Sequence, residues 1–153
     1  TDYSETALLY ARELTSGMNN VELVQSDMDS IPYAAGYFDA TVSNHTIQHS
    51  AKEQRDGAFQ EIERTLRPKG LLFLRTVSRM HMACGTGRQI EPYTFVDMPD
   101  MPDGATPHHY FSEEEIRGYM ERFKVLSLEH RSLPSSEFFK LGVEEWVVLA
   151  RKN

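Results

Sequence analysis

Three clusters of polar side chains stand where alternating strand–helix chains do their chemistry, at the carboxyl ends of strands. Asp2-Tyr3 precedes a helical pattern, Asp27-Met28 follows a β-type run, and Asn44-His45 with His49 follows another. A carboxylate at Asp2 can accept hydrogen bonds from two adjacent hydroxyls, as on a ribose. One at Asp27 can accept from an exocyclic amine, and Met28 offers a soft apolar wall to a flat ring. His45 or His49 could move a proton. Each residue also has a plainer role: Asp2 as a negative charge at a helix start, Asp27 as a loop cap, His49 as a surface or capping histidine.

The elements that must position these residues can be read from pattern and punctuation. Ser4 and Glu5 suit a helix start, with Ala7, Leu8, Ala11 and Leu14 as its apolar face and Gly17 after its end. Residues 21–25 read as a short buried strand, 26–36 as loop with Pro32 and Gly36 as breakers, and 37–43 as a second strand. Ser50 with Glu53 predicts a capping box, opening a helix whose buried face is Phe59, Ile62 and Leu66 and which Pro68 and Gly70 stop. The apolar run from Leu71 to about Val77 reads as a strand buried on both faces.

Residues 80–110, rich in Pro and Gly, read as a long irregular loop or lid. Ser112 with Glu115 predicts another capped helix, with Phe111 stapled onto Ile116 and a face of Ile116, Tyr119, Met120 and Phe123. Residues 124–131 and 144–150 read as an antiparallel hairpin, joined around Pro134 and Gly142. The sum is an α/β domain with a mostly parallel sheet and a C-terminal antiparallel hairpin.

Composition narrows the function classes. At 153 residues the chain is one domain, 1–153. Sixteen Lys and Arg against 23 Asp and Glu give a net charge of −7, which argues against nucleic-acid binding. No apolar run approaches the ~20 residues that span a bilayer, so no membrane partner is expected. Cys84 is the single cysteine, which excludes an intrachain disulfide and fits a reduced, cytoplasmic setting. His81, Cys84, His108 and His109 match no tight zinc spacing, so no metal is expected. Cys84 has no organised base for nucleophilic work.

Four segments in order resemble class I S-adenosylmethionine-dependent methyltransferases of the small-molecule type. Asp2-Tyr3-Ser4-Glu5-Thr6-Ala7-Leu8-Leu9-Tyr10-Ala11-Arg12 resembles their "D-x-S-x-x-x-L-x-x-A-R" segment. Ser26-Asp27-Met28-Asp29-Ser30-Ile31-Pro32-Tyr33 is similar to "G-D-A-x-x-L-P-F". Phe38-Asp39-Ala40-Thr41-Val42-Ser43 with His49 is similar to "F-D-x-V-x-S…H", and residues 61–70 to "E-x-x-R-V-L-K-P-G-G". The resemblance implies a Rossmann-like methyltransferase sheet and S-adenosyl-L-methionine as cofactor.

It also implies roles for particular residues. Asp2 and Tyr3 lie at the ribose, Asp27 at the adenine amine and Met28 on the ring. Asn44 and His45 line the methionine end and the substrate entry. His45 and His49 are the candidate catalytic residues, with no role fixed for either. Tyr93, Phe95, His108, His109 and Tyr110 are candidates for an acceptor pocket, the alternative being that they pack the lid onto the domain. The activity implied is methyl transfer to a small-molecule acceptor.

Two features depart from the family pattern. The family's Gly-rich turn would precede Asp2, where only Thr1 stands. The expectation is therefore a fold incomplete at its N-terminus, lacking the first strand and helix, in a chain that is a truncated piece of a longer enzyme. Exposed sheet edges would then favour a homodimer. The second feature is Cys84-Gly85-Thr86-Gly87-Arg88, which imitates the missing turn but has no helix pattern after it; it reads as part of the 80–110 loop. The rival reading is a non-catalytic remnant or dimerisation module unable to bind cofactor. A different nucleotide-binding enzyme, such as an oxidoreductase, fits the Asp27 loop and the terminal hairpin less well.

Overall fold

The structure, a computed structural model, describes residues 1–99, 105–135 and 142–153. Of the stretch 80–110 expected to act as a loop or lid, residues 100–104 lie outside these.

The main sheet has four strands: β1 (Phe38–Asn44), β2 (Leu66–Val77), β6 (Phe123–Leu133) and β7 (Val143–Lys152), in the order β1-β2-β7-β6. β1 and β2 are parallel, while β2–β7 and β6–β7 are antiparallel. The hairpin forms as expected; the mostly parallel sheet does not, because one of the three strand pairings is parallel. The expected strand at 21–25 is also absent as a ladder. Its backbone finds one partner residue, Asp2, whose N–H donates to the Val24 carbonyl at 3.2 Å and whose carbonyl accepts from Ser26 N–H at 3.1 Å. A single parallel bridge, Asp2 to Gln25, is what remains. Leu23 and Val24 are half-buried and Val21 is exposed.

Helix α2 (Lys52–Thr65) covers the sheet with Phe59, Ile62 and the adjoining Leu66, all buried against Leu72, Leu74, Val148 and Ala150. Its expected Ser50 capping box does not form. Ser50 Oγ donates to the Ile47 carbonyl at 2.6 Å. The Glu91 carboxylate instead accepts from Lys52 N–H at 2.9 and 3.2 Å, so a residue 39 positions away caps the helix. The helix ends at Thr65, ahead of Pro68, because Leu66 is already extended and begins β2. Lys152 Nζ donates to the Glu63 and Leu66 carbonyls there, a cation at the negative helix end.

Helix α3 (Glu113–Tyr119) starts as predicted: Ser112 Oγ accepts from Glu115 N–H at 3.1 Å. Ile116, Met120 and Phe123 enter the core, and Trp146 Nε1 ties β7 to the Phe111 carbonyl at 3.0 Å. In α1 (Glu5–Leu14), Ser4 Oγ accepts from Ala7 N–H at 3.2 Å as expected, yet no residue of the helix is fully buried and Leu14 is 82% exposed.

Residues 80–110 are not irregular throughout. They hold a small antiparallel sheet, β3 (Arg88–Glu91), β4 (Thr94–Val96) and β5 (His108–His109), in the order β3-β4-β5. Val77, Ala83, Phe95, Met98 and Tyr110 form a second apolar cluster under it. The Cys84–Arg88 segment leads into β3, not a helix. Gly87 is required there at φ +81, since a Cβ would lie 2.4 Å from the Val96 carbonyl oxygen.

Candidate functional site

The positioning of the loop at 27–33 begins on α2. Gly57 presents bare backbone to it: a Cβ at that position would sit 2.8 Å from the Cβ of Asp29. One and two turns further along the helix, Glu61 and Arg64 pair at i, i+3 and grip the loop backbone. Glu61 accepts from Ile31 N–H at 2.8 Å, while Arg64 donates to the Tyr33 carbonyl at 2.7 Å and the Ile31 carbonyl at 2.9 Å. The hydrogen bond from Arg64 holds the Glu61 carboxyl below the usual range, with burial opposing it. Charge-assisted bonds of this kind fix geometry more firmly than neutral ones. The E-x-x-R segment therefore clamps the C-terminal part, 31–33, of the loop that carries Asp27 and Met28.

The turn at 45–49 is held from beneath. Gln48 is buried; its Oε1 accepts from Val77 N–H at 3.1 Å and Thr76 Oγ1 at 3.2 Å, and its carbonyl accepts from His109 N–H at 2.8 Å. His45 leaves β1 with φ +52, a conformation uncommon for a side chain with Cβ. Its Nε2 lies 2.8 Å from Glu145 Oε2. The His49 ring meets that of His108 edge-on, centroids 4.3 Å apart.

These loops enclose one open cleft of about 480 Å³, lined by Asp2, Tyr3, Asp27, Met28, His45 and His49, with Thr46, Gln54 and Thr106 among the others. That volume is within the usual range of ligand pockets, ~300–1,000 Å³. Of the residues singled out from sequence, six meet here. Asn44 does not line the cleft: it is exposed, and its carbonyl accepts from Thr46 Oγ1 at 3.3 Å. Asp2 Oδ1 also accepts from Ser4 N–H at 2.8 Å, so one oxygen serves the helix start and the second is left for a ligand. The described residues that line the cleft include no glycine.

The proposed acceptor residues are elsewhere. Phe95, His108, His109 and Tyr110 are buried, and Tyr93 lies beneath the Arg79 guanidinium, 3.6 Å from ring centroid to carbon. His109 is a structural node: its ring nitrogens meet Thr94 Oγ1 at 2.8 Å and Glu115 at 3.0 Å. Burial lowers its pKa, against the hydrogen bond to Glu115. Burial pushes Glu115 up, but His109, Arg55 and Arg79 outweigh it and the net shift is downward. Burial likewise raises Cys84, which is thereby made less nucleophilic. Among the described residues no cluster of His, Cys, Asp and Glu could hold a metal ion, and no helix is long and apolar enough to cross a membrane.

Sequence reasoning missed Gln54, Thr106, Arg75 and Glu145. The last two carried a signal: Arg75 directly follows the apolar run 71–74 and Glu145 directly precedes the run 146–150, and a charge bordering a buried run needs a partner.

Known proteins resemble this chain in sequence and in fold. Residues 1–74 match the family model described as a methyltransferase domain. A malonyl-[acyl-carrier protein] O-methyltransferase of Legionella pneumophila is 26% identical over 139 residues, 87% of this chain. The chain spans 46% of that relative's length, just under half. A SAM-dependent methyltransferase of Methanosarcina mazei superposes with TM-score 0.82 at 18% identity, over 99% of this chain and 79% of that one. The 1,6-didemethyltoxoflavin-N1-methyltransferase of Burkholderia thailandensis, solved with bound 1,6-didemethyltoxoflavin and S-adenosylhomocysteine, gives a TM-score of 0.66 at 18% identity over 94% of this chain and 56% of that one. Over residues 1–74 the chain is similar in sequence to a methyltransferase domain, and over nearly its whole length it shares the fold of solved SAM-dependent methyltransferases.

Proposed function

We propose that the cleft holds the adenosyl part of S-adenosyl-L-methionine and that the protein takes part in methyl transfer to a small-molecule acceptor. The observation that carries this is the convergence of Asp2, Asp27 and Met28, from separate segments, on one cleft of about 480 Å³. The donor set suits an adenosine: Asp2 for ribose hydroxyls, Asp27 for the adenine amine and Met28 for the ring face. Bound there, the cofactor supplies an activated methyl group on a sulfonium. The chain's own task is to orient the partners and exclude water, which accounts for much of such a rate enhancement. Tyr93 and Asn44 remain at the surface, where an acceptor or a loop can reach them. A reducing, cytoplasmic setting fits the lone cysteine. The expected homodimer rests on the outer edge of β1, where Val42 is 69% exposed.

One observation favours a second reading, a non-catalytic remnant or dimerisation module unable to bind cofactor: among the described residues the cleft lining includes no glycine, whose bare backbone would let a ligand approach closely. Isothermal titration with S-adenosylhomocysteine separates the two. Saturable binding is expected on the first reading; no heat of binding would favour the second.

A further inference from the structure

We propose that Glu145, itself held by Arg75, is a positioning residue that fixes His45 as a proton acceptor at the mouth of the cleft. The inference deepens the methyl-transfer reading and rests on it for the identity of the reaction.

Glu145 is the anomaly of β7. It stands among Val143, Trp146, Val147 and Val148 with its side chain 1% exposed. A carboxylate so buried is costly unless paired and hydrogen-bonded. Arg75 of β2 supplies that pairing: its Nη2 donates to Oε1 at 3.0 Å and to Oε2 at 2.9 Å, and its Nε donates to Oε2 at 3.1 Å. The guanidinium alone provides the counter-charge. The contact of Oε2 with His45 Nε2 at 2.8 Å is additional, and it is directed at the one cleft residue whose backbone is forced to φ +52. His45 N–H donates to the Arg75 carbonyl at 2.9 Å. The ring of His45 is thus tied to β7 and its backbone to β2, and strained backbone of this kind concentrates at functional sites.

The tautomer follows from the partner. A carboxylate accepts, so Nε2 carries the hydrogen and Nδ1 keeps its lone pair. A base oriented by an acid on its far nitrogen is the arrangement by which imidazoles are made ready for proton transfer. When an acceptor gives up an O–H or N–H proton, that bond breaks with its electron pair left on oxygen or nitrogen. The proton forms a bond to Nδ1, the Glu145 carboxylate, shared with Arg75, goes on accepting from Nε2–H, and the proton then passes to water through the open cleft. An acceptor that is already ionised has no proton to surrender, so the device suits acceptors that carry one.

Long-range proton–nitrogen correlation of the histidine rings in the uniformly nitrogen-15-labelled chain reads the tautomer without any ligand. His45→Gln assigns the His45 signals by their loss. The wild-type ring is expected as a single tautomer, protonated at Nε2 and unprotonated at Nδ1, and Glu145→Ala is expected to give a mixture. Protonation of Nδ1 in the wild type, or the same tautomer in folded Glu145→Ala, would overturn the inference. If that variant does not fold, the wild-type tautomer decides alone. Titration with S-adenosylhomocysteine keeps the two claims apart: binding together with an Nδ1-protonated ring sinks the role of Glu145 and leaves the cofactor reading standing. The expected tautomer without binding keeps the Glu145–His45 pairing and overturns the cofactor reading beneath it.

Discussion

Replacing Glu115 with Ala removes the anion on which three groups converge. Its carboxylate meets His109 Nε2 at 3.0 Å, Arg79 Nη2 at 3.1 Å and Arg55 Nη2 at 4.0 Å. Arg55 is the exposed nerve of this cluster, because its side chain is 3% exposed and its Nε has no hydrogen-bond partner among the described residues. Without Glu115 it keeps a hydrogen bond from Nη1 to the Ser50 carbonyl at 3.0 Å and a position over the Phe111 ring. Breaking a buried ion pair from one side costs about 3–5 kcal/mol. Glu115 is 22% exposed, so water enters and relieves part of this; a loss of roughly 2–3 kcal/mol is the expectation.

Against a total stability of about 5–15 kcal/mol that is a large fraction. With a urea m-value of about 2 kcal/mol/M, the unfolding midpoint should fall by roughly 1–1.5 M. Glu113→Ala is the matched control: it breaks an exposed i,i+4 pair with Arg117 on the same helix turn and should cost only about 0.3–0.5 kcal/mol. Adding Arg55→Met to Glu115→Ala should recover stability by removing the orphaned cation. Equal losses for Glu115→Ala and Glu113→Ala, or no recovery in the double variant, would refute the reasoning.

Asp27→Ala should weaken S-adenosylhomocysteine binding by about tenfold to a hundredfold, the worth of a charge-assisted hydrogen bond, while Cys84→Ser leaves the affinity unchanged; titration calorimetry reads both. Arg64→Ala frees the Ile31 and Tyr33 carbonyls from their clamp and should lower the same affinity by roughly fivefold, without touching the ligand. Glu91→Ala uncaps α2 and should cost about 1 kcal/mol in urea unfolding. His109 has a folded pKa below its unfolded one because burial disfavours its charged form. Below about pH 6.5 the unfolded chain therefore takes up a proton that the folded chain refuses. Stability should fall as pH drops from about 6.5 to 5.5, by at most about 1.4 kcal/mol per unit from this group, and His109→Gln should flatten that slope.

The elements that bury their own periodic face were legible from sequence: Phe59 and Ile62 in α2 and Ile116 in α3 face the core as their spacing required, with Leu66 and Met120 buried just past the helix ends, and the β6–β7 hairpin forms. Failures came where a distant residue decided a local outcome. Ser50 and Glu53 have the spacing of a capping box, but Glu91 reaches Lys52 N–H first, and no local pattern contains that competitor. Residues 21–25 have strand composition, yet a strand exists only through its neighbours, and here Asp2 is the neighbour supplied. The same division holds at the cleft. Asp2, Asp27, Met28, His45 and His49 were legible because each borders a helix start or a β-type run; Glu145 was not, since its importance lies in a contact with a residue 100 positions away.

A crystal structure of the chain with S-adenosylhomocysteine tests the central claim most directly. The account predicts the adenine amine within hydrogen-bonding distance, about 2.7–3.2 Å, of the Asp27 carboxylate, the ring face on Met28 and the ribose hydroxyls on Asp2. A ligand seated instead at the Cys84–Arg88 turn, or a cleft left empty at saturating ligand, would contradict it.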